Sequence, residues 1–396
     1  MPEPRILLFT GKGGVGKTTS AAGLAVHAAR SGFRTLVMST DAAHSLADAL
    51  GVGEVRTHEE PLEVEHGLWL LQVDAQRRFE RSWGEIQGYL LSVLGAAGVD
   101  PITAEELTVI PGAEEVLALL ELRNRVRSAA YDVIVVDCAP TAETLRLLAL
   151  PEALGWYMSR VFGVQRKVVK ALRPMLTKAA GVPMPDDTVF DAISRLHADL
   201  DEVQRLLCGP NASVRLVLTP ERVVVAEARR SLTTLSLYGY RVDGVVANRV
   251  FAPGEGNEFL DGWVGAQSGV LAEVRESFAG LPIWESGYLP REPVGADALE
   301  ALAVQVYAEH DPLAAPLGPE PLQVYRTESG AVLRIALPFA QRNDVDLARH
   351  GDELVLTVGS YRRLLALPQA LTRQSVSGAR VVDGELQIRF AAQEVS

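Results

Sequence analysis

Two lysines stand five positions apart in the glycine-rich stretch GKGGVGKT, residues 11–18. The stretch follows the strand-like run RILLFT and precedes a helix-like run that is expected to begin at Thr18. In this context the pattern G-x-x-x-x-G-K-[ST] forms a loop whose backbone N–H groups point at phosphates from a helix N-terminus. Lys17 then reaches the β- and γ-phosphate oxygens, and the Thr18 hydroxyl is a ligand for Mg²⁺. The predicted nucleotide site comprises Gly11, Lys12, Gly13, Gly14, Val15, Gly16, Lys17, Thr18 and Thr19.

Two carboxylates at the ends of strand-like runs complete this site. Asp137 ends the apolar run YDVIVVD, the position from which such folds orient Mg²⁺ through its water shell. Asp41 follows the run RTLVMST, and it lies on the phosphate rim because ligands bind outside the carboxyl ends of parallel strands. We expect Asp41 to position the attacking water and to contribute to the metal site. The alternative for Asp41 is a helix N-cap.

Strand-like runs alternate with helix-like stretches along residues 1–310. The five clearest runs are continuous and apolar or β-branched: RILLFT, RTLVMST, YDVIVVD, SVRLVLT and RVDGVVANRV. Such runs are typical of strands buried on both faces of a parallel sheet. The alternation predicts an α/β P-loop NTPase domain with a doubly wound, mostly parallel sheet. Between residues 151 and 207 helical periodicity continues without a strand, which predicts a helical insertion.

A proline-rich stretch follows this domain. Prolines 312, 316, 319 and 321 fall within ten residues, and proline is excluded from helix interiors and central strands. The stretch therefore predicts a linker at residues 311–321. Beyond it the short strand-like runs AVLRIALPF, ELVLTVGSYRRLLALP, ARVV and ELQIRF are separated by turn signals. Residues 322–396 are expected to form a small all-β sandwich.

Composition excludes several function classes. The 396-residue chain has a net charge of -12, which argues against general nucleic-acid binding because phosphate neutralisation needs a basic face. Its two cysteines, Cys138 and Cys208, cannot form a disulfide framework or a four-thiolate metal site. The sequence has no apolar run of the ~20 residues that a membrane-spanning helix needs, and its first residues lack a signal-peptide pattern. We therefore expect a cytoplasmic location.

Lys12 needs an explanation of its own, because Lys17 already serves the phosphates of its loop. Its ammonium either points to solvent or meets a phosphate bound elsewhere. The stretch GKGGVGKTT resembles the deviant P-loop of the signature-lysine ATPases, in which the additional lysine contacts the nucleotide of the facing subunit. By that resemblance Lys12 is a catalytic residue that acts in trans, as an arginine finger does elsewhere. The resemblance also implies a homodimer that closes around two ATP molecules.

Two further motifs narrow the resemblance. STDAAHSLADAL is similar to the switch I pattern D-P-A-H-S, and DCAPTAETLRLL is similar to the switch II pattern D-T-A-P-T-G-H-T-L-R. Both patterns belong to the arsenite-pump ATPases and the tail-anchored-protein targeting ATPases, and the similarity extends from Arg5 to about Ala308. The chain departs from the patterns at Ala42, Ala142 and Glu143. These departures bear on how hydrolysis is coupled to dimer closure.

The same resemblance places adenine contacts at Asn248, in NRV, and at Pro290 and Arg291, in LPREPVG. Asn248 could equally cap the end of its strand. Cys138, beside Asp137, is interpreted as a small packed residue rather than a ligand. The zinc-binding CxxC pair and the arsenite-binding cysteines of the family are absent, and the chain carries one ATPase unit where the arsenite-pump subunit carries two. The metalloid-pump interpretation is correspondingly weak.

The helical insertion bears on the partner. Residues 151–185 carry six basic residues against one glutamate, and they include three of the five methionines. An apolar set recurs there at helical spacing: Met158, Val161, Phe162, Val168, Val169, Leu172, Met175 and Leu176. These side chains either pack on their own domain, or form an adaptable groove for an apolar helix, or lie on a membrane surface. The groove is what resemblance to the targeting ATPases implies, with a hydrophobic helix of a client membrane protein as the partner and a membrane receptor as a further one.

The C-terminal runs GDELVLTVGSYRRLLALP and VVDGELQIRF are similar to the α-crystallin sandwich of small heat-shock proteins. Bacterial and plastid relatives of the targeting ATPases carry such a tail. The sandwich either supports a client-handling role or covers a sheet edge or the dimer surface. We expect a dimeric, Mg²⁺-dependent ATPase whose closure binds and releases hydrophobic protein segments. The alternatives are the motor of an arsenite or anion efflux pump and a membrane-positioning ATPase.

Overall fold

The computed structural model describes residues 3–40, 45–53, 60–72, 91, 113–139, 187–253, 258–308, 310–316, 320–328 and 330–392. The strands of its larger sheet are β1 (Arg5–Thr10), β2 (Thr35–Ser39), β3 (Leu62–Glu65), β4 (Leu68–Gln72), β5 (Val133–Asp137), β6 (Ala212–Leu218), β7 (Val242–Val250) and β8 (Ile283–Gly287). Their order is β3-β4-β2-β5-β1-β6-β7-β8. All neighbours pair in parallel except β3 and β4, which are antiparallel. The predicted mostly parallel sheet is confirmed.

Burial along the strands explains why the sequence predicted five of them. Strands β2, β5 and β6 are buried at every residue, and β1 at all but its first, so each appears as one apolar run. The prediction missed the edge strands β3 and β8, and it also missed β4, an inner strand that is buried at four of its five residues and that edge exposure does not explain. Strand β3 is an exposed edge strand of four residues, LEVE, and β8 is the other edge strand, of five residues. Short edge strands lack the continuous apolar composition that marks a central strand.

Helices connect the strands and cover the sheet. They are α1 (Lys17–Arg30), α2 (Ser45–Leu50), α3 (Ala113–Ser128), α4 (Asp187–Leu207), α5 (Arg222–Leu237), α6 (Glu258–Ser277) and α7 (Ala296–Val306). Helix α4 belongs to the predicted helical insertion. The remainder of that insertion, residues 151–186, lies outside the described residues, as do its candidate groove side chains.

Two antiparallel sheets form the C-terminal region. Its strands are β9 (Leu322–Thr327), β10 (Gly330–Ala336), β11 (Val345–His350), β12 (Glu353–Val358), β13 (Tyr361–Ala366), β14 (Gln374–Val382) and β15 (Glu385–Ala392), with a short helix α8 (Gln369–Thr372) before β14. One sheet has the order β14-β15-β10-β9 and the other β11-β12-β13. Buried side chains from both sheets, among them Leu333, Leu356 and Ile388, form one core. This confirms the predicted all-β fold, although β9 and β11 were not predicted.

A buried ionic cluster connects the segment after the ATPase domain to the base of the larger sheet, the side on which its parallel strands begin. The Arg215 guanidinium bonds both carboxylate oxygens of Asp243, at 3.2 and 2.9 Å, and the carbonyl of Pro312 at 2.8 Å. It also lies 4.3 Å from the Trp284 ring centroid. Arg5 donates to Asp243 at 3.0 Å and to Leu313 O at 3.1 Å, and burial lowers its pKa to about 10 although Asp243 opposes that shift. Asp243 is thus the shared carboxylate of two buried guanidinium groups, in agreement with the rule that buried charges are paired.

The C-terminal sandwich packs on the ATPase domain on the same side as this ionic cluster. Leu237, at the end of α5, is part of the sandwich core. Arg363 donates to Leu237 O, and the Tyr238 hydroxyl donates to Arg362 O at 3.3 Å. Since α5 follows β6, its start lies at the carboxyl edge of the sheet and its end at the opposite edge. The sandwich is therefore attached to the edge opposite the predicted phosphate loop.

Candidate functional site

The phosphate loop connects β1 to α1 and requires glycine at defined positions. Gly14 has φ 80° and Gly16 has φ 95°, in the left-handed region that side chains with a Cβ disfavour. A Cβ on Gly16 would lie 2.2 Å from Asn248 Nδ2, and one on Gly11 would lie 2.1 Å from the Val217 carbonyl oxygen. The loop is thus pressed against the ends of β6 and β7, while Gly13 and Gly14 are exposed. Its open side is free for a ligand to approach the backbone.

Lys17 is a buried cation in this loop. The residue is 7% exposed, and Nζ donates one long hydrogen bond, 3.4 Å, to its own loop at Lys12 O. Within the described part of the chain it forms no ion pair. Burying an ammonium without an anionic partner is costly. The arrangement therefore suits an anion that supplies the missing charge.

Lys12 is half-buried at the tip of the loop. The Lys12 ammonium makes no hydrogen bond or ion pair with any described residue. The backbone carbonyl of Lys12 accepts the hydrogen bond from Lys17. The described residues therefore give the Lys12 ammonium no partner.

Thr18 and Asp137 meet at the carboxyl edge of the sheet. The Thr18 hydroxyl donates to Asp137 Oδ2 at 2.8 Å. Asp137 is 1% exposed, and it is in register with Phe9 of β1 and Ser39 of β2, so the neighbouring strands hold its carboxylate at the loop. Hydroxyl and carboxylate oxygens are ligands that Mg²⁺ prefers, and Mg²⁺ is commonly held by one or two such groups together with waters and substrate phosphates. These two residues fit that ion.

The described residues around Asp137 do not provide a full set of side-chain ligands for a metal. No group of three or more His, Cys, Asp or Glu side chains that could hold a metal occurs among the described residues. Cys138 follows Asp137 but is fully buried, and burial, with the Asp137 charge, raises the pKa of its thiol. Its Sγ lies 3.8 Å from Val136 O. These observations agree with a packed, unreactive thiol.

Asp41 follows a residue that is tied to this edge. Thr40 N donates to Asp137 O at 3.0 Å, and Ala139 N donates to Thr40 Oγ1 at 3.2 Å. Residues 41–44 lie outside the described residues, as do Ala142 and Glu143. The assignment of Asp41 to water positioning and metal binding stays a prediction.

A pocket of about 370 Å³ adjoins the loop on the β7 and β8 side. Its lining includes Gly16, Thr19, Asn248, Arg249, Tyr288 and Arg291. Of the three residues expected to contact adenine, Asn248 and Arg291 line the pocket and Pro290 does not. Arg249 and Tyr288 were not predicted, although Arg249 belongs to NRV and Tyr288 is two residues before Pro290.

Asn248 also has a structural role. Its Nδ2 donates to Val15 O at 2.8 Å, and its Oδ1 accepts from Arg249 N at 2.9 Å. The first bond ties β7 to the phosphate loop, and the second is local, within β7, which continues to Val250. Arg249 has φ 59°, so the chain turns sharply beside the pocket.

In the described part of the chain no helix is both long and apolar enough to cross a bilayer. The family model described as anion-transporting ATPase matches residues 4–308, and a model described as the HSP20-like domain found in ArsA matches residues 328–390.

Several relatives match nearly the whole chain, among them the following three. A Chlorobaculum tepidum protein named as an arsenical pump-driving ATPase is 34% identical over 98% of this chain and 96% of its own length. An Aquifex aeolicus protein with a similar name is 32% identical over 97% of this chain and 99% of its own. An uncharacterized Streptomyces coelicolor protein is 39% identical over 98% of this chain and 97% of its own.

Proposed function

We propose that this chain, which belongs to the anion-transporting ATPase family, uses ATP hydrolysis to drive the binding and release of hydrophobic protein segments. Family membership confirms the predicted ATP hydrolase and its nucleotide binding. What the hydrolysis is coupled to is the proposal.

The observation that carries the proposal is the attachment of the HSP20-like region to the ATPase domain. Leu237 of α5 is buried in the sandwich core, and Arg363 of the sandwich bonds the last carbonyl of that helix. The other end of α5 starts four residues after β6, whose Val217 contacts the phosphate loop at Gly11. A single helix therefore connects the HSP20-like region with the strand that supports the nucleotide loop.

The proposed chemistry assigns one task to each residue at the loop. Lys17 binds the β- and γ-phosphates, and Thr18 and Asp137 hold Mg²⁺, which would neutralise charge on the phosphates when bound. Asp41 positions the attacking water. Lys12, which has no partner among the described residues of its own subunit, contacts the nucleotide of the second subunit in a homodimer.

A second candidate function is supported by the names of two relatives. Both are called arsenical pump-driving ATPases, so this chain could drive a pump. Against it, the chain has only Cys138 and Cys208, and the Cys138 thiol is enclosed with a raised pKa. Arsenite is a thiol-seeking oxyanion, and soft ligands of that kind are not assembled here.

Client capture tests the first candidate against the second. Purified protein with ATP or with ADP is mixed with a detergent-solubilised protein that ends in an apolar helix, and the complex is measured by co-purification. Replacing Met158, Phe162, Leu172 and Met175 with serine should weaken capture at least several-fold and spare basal ATPase activity. Replacing Phe259, which is 76% exposed on α6, with serine is the matched control and should leave capture unchanged.

Other outcomes would identify the alternatives. Stimulation of ATPase activity by arsenite, without client capture, would support the pump. Binding to liposomes in the absence of client would support membrane positioning. Loss of folding in the quadruple variant would show that the four side chains belong to a core.

A further inference from the structure

The Thr18 hydroxyl lies between two oxygens from different elements. On one side it donates to Asp137 Oδ2 at 2.8 Å, and on the other Ser45 Oγ is 3.3 Å away. We propose that Ser45 is a positioning residue for the metal site: its hydroxyl donates to Thr18 and directs the remaining Thr18 lone pair at Mg²⁺. This inference rests on the proposed Mg²⁺-dependent function and deepens it.

Proton counting assigns the donor. A threonine hydroxyl has one hydrogen and two lone pairs, and an ionised carboxylate only accepts. Because the Thr18 hydrogen is used toward Asp137, the hydrogen between Ser45 and Thr18 must come from Ser45. Thr18 then has one lone pair left. The bond to Asp137 sets the torsion of the Thr18 hydroxyl, and the Ser45 hydrogen then occupies one of its two lone pairs, so that the other is the one left for Mg²⁺.

Core packing holds Ser45 in place. Ser45 is the first residue of α2, and Leu46, Ala47 and Leu50 of that helix are buried. The carbonyl of Ala49 accepts from Gly295 N at 2.9 Å, which anchors the far end of the helix. The packing of α2 therefore supports the position of Ser45. Removing its hydroxyl should change the site without moving the helix.

Nucleotide binding as a function of Mg²⁺ tests the proposal. The probe is N-methylanthraniloyl-ATP, and its fluorescence is followed while MgCl₂ is added to the full-length protein that has first been treated with EDTA. Ser45→Ala should raise the half-saturating Mg²⁺ concentration roughly fivefold, the loss expected for one neutral hydrogen bond. Affinity for the probe in EDTA should be unchanged. Ser45→Thr, which keeps a hydroxyl, should restore the wild-type value.

A serine elsewhere serves as the control. Ser268 is on α6, and its hydroxyl bonds Val264 O at 2.8 Å, so Ser268→Ala removes a similar bond without touching the site. It should behave as wild type.

Each remaining outcome has a definite meaning. If wild type responds to Mg²⁺ and Ser45→Ala responds identically, the role of Ser45 is overturned and the proposed function stands. An equal loss of probe affinity with and without Mg²⁺ would make Ser45 a structural residue and would also overturn it. If wild type binds the probe equally well in EDTA, the metal-dependent part of the proposed function fails, and the inference fails with it.

Discussion

Each end of the parallel strands in the larger sheet has a buried cation, and the two cations differ in their partners. At the base, Arg215 is 1% exposed and is bonded to Asp243, to a linker carbonyl and to the face of Trp284. At the phosphate edge, Lys17 is 7% exposed and has one hydrogen bond of 3.4 Å to a carbonyl. Both charges have lost water, but only the first has a carboxylate among the described residues.

This difference separates a structural charge from a functional one. A buried ion pair whose members satisfy each other fixes the fold, because breaking it leaves an uncompensated charge. A buried lysine without an anion has an unfavourable desolvation free energy, which interaction with a bound phosphate offsets. The base of the sheet should therefore respond to mutation through stability, and the phosphate edge through ligand affinity and turnover.

The largest expected effect is at the base. Asp243→Ala leaves two guanidinium groups, those of Arg5 and Arg215, without their carboxylate and should lower the free energy of unfolding by about 3–5 kcal/mol. Urea denaturation measures it. The matched control is Asp132→Ala, which removes an exposed pair with Arg34 (2.7 Å) and should cost less than about 1 kcal/mol. Equal effects of the two changes would refute the distinction between buried and exposed pairs here.

Lys17→Ala should show the reverse behaviour. It removes a charged contact to the phosphates, so ATP affinity should fall by about a hundredfold or more. The free energy of unfolding without nucleotide should not decrease, since the lysine has no carboxylate to leave behind. Calorimetric titration with ATP and urea denaturation together test this. Retained ATP affinity together with a large loss of stability would mean that Lys17 stabilises the fold and does not bind the phosphates.

Asp41→Asn should separate binding from turnover at the same edge. The side chain is predicted to orient water and not to bind the ground-state phosphates, so ATP affinity should persist while kcat falls on the order of a hundredfold. Single-turnover hydrolysis measures the chemical step. Wild-type turnover in this variant would remove Asp41 from the mechanism.

The smallest expected signal concerns Lys12 and depends on mixing two inactive variants. A heterodimer of Lys12→Ala with Asp41→Asn contains one site that has its own Asp41 and a Lys12 from the partner subunit. At equal input, free exchange should restore activity to about a quarter of the sites, by the two-fold symmetry of such a dimer. ATPase assays of the mixture, with exchange monitored by labelled subunits, provide the measurement. Complete exchange without any rescue would mean that Lys12 does not act in trans.

Local patterns were sufficient for the phosphate loop and the central strands. The loop needs glycines at particular φ values next to a strand and a helix, and all of these lie within residues 5–30. Strands β1, β2, β5, β6 and β7 were recognisable because burial on both faces makes each a continuous apolar run. Asp137 could be assigned to the rim because parallel strands end on one edge.

Contacts between distant residues required the folded chain. Ser45 approaches Thr18 across 27 positions and Asn248 reaches Val15 across 233, and no periodicity within one segment encodes such a distance. The same holds for the attachment of the sandwich to α5. One signal was present in the sequence: Arg215 interrupts the apolar run SVRLVLT, and a charge inside a central strand indicates a buried partner. Its partner, Asp243, is on the next strand, and the pairing of β6 with β7 brings the two side chains together. Burial of the Arg215 charge is tolerable only because the opposite charge of Asp243 is buried with it.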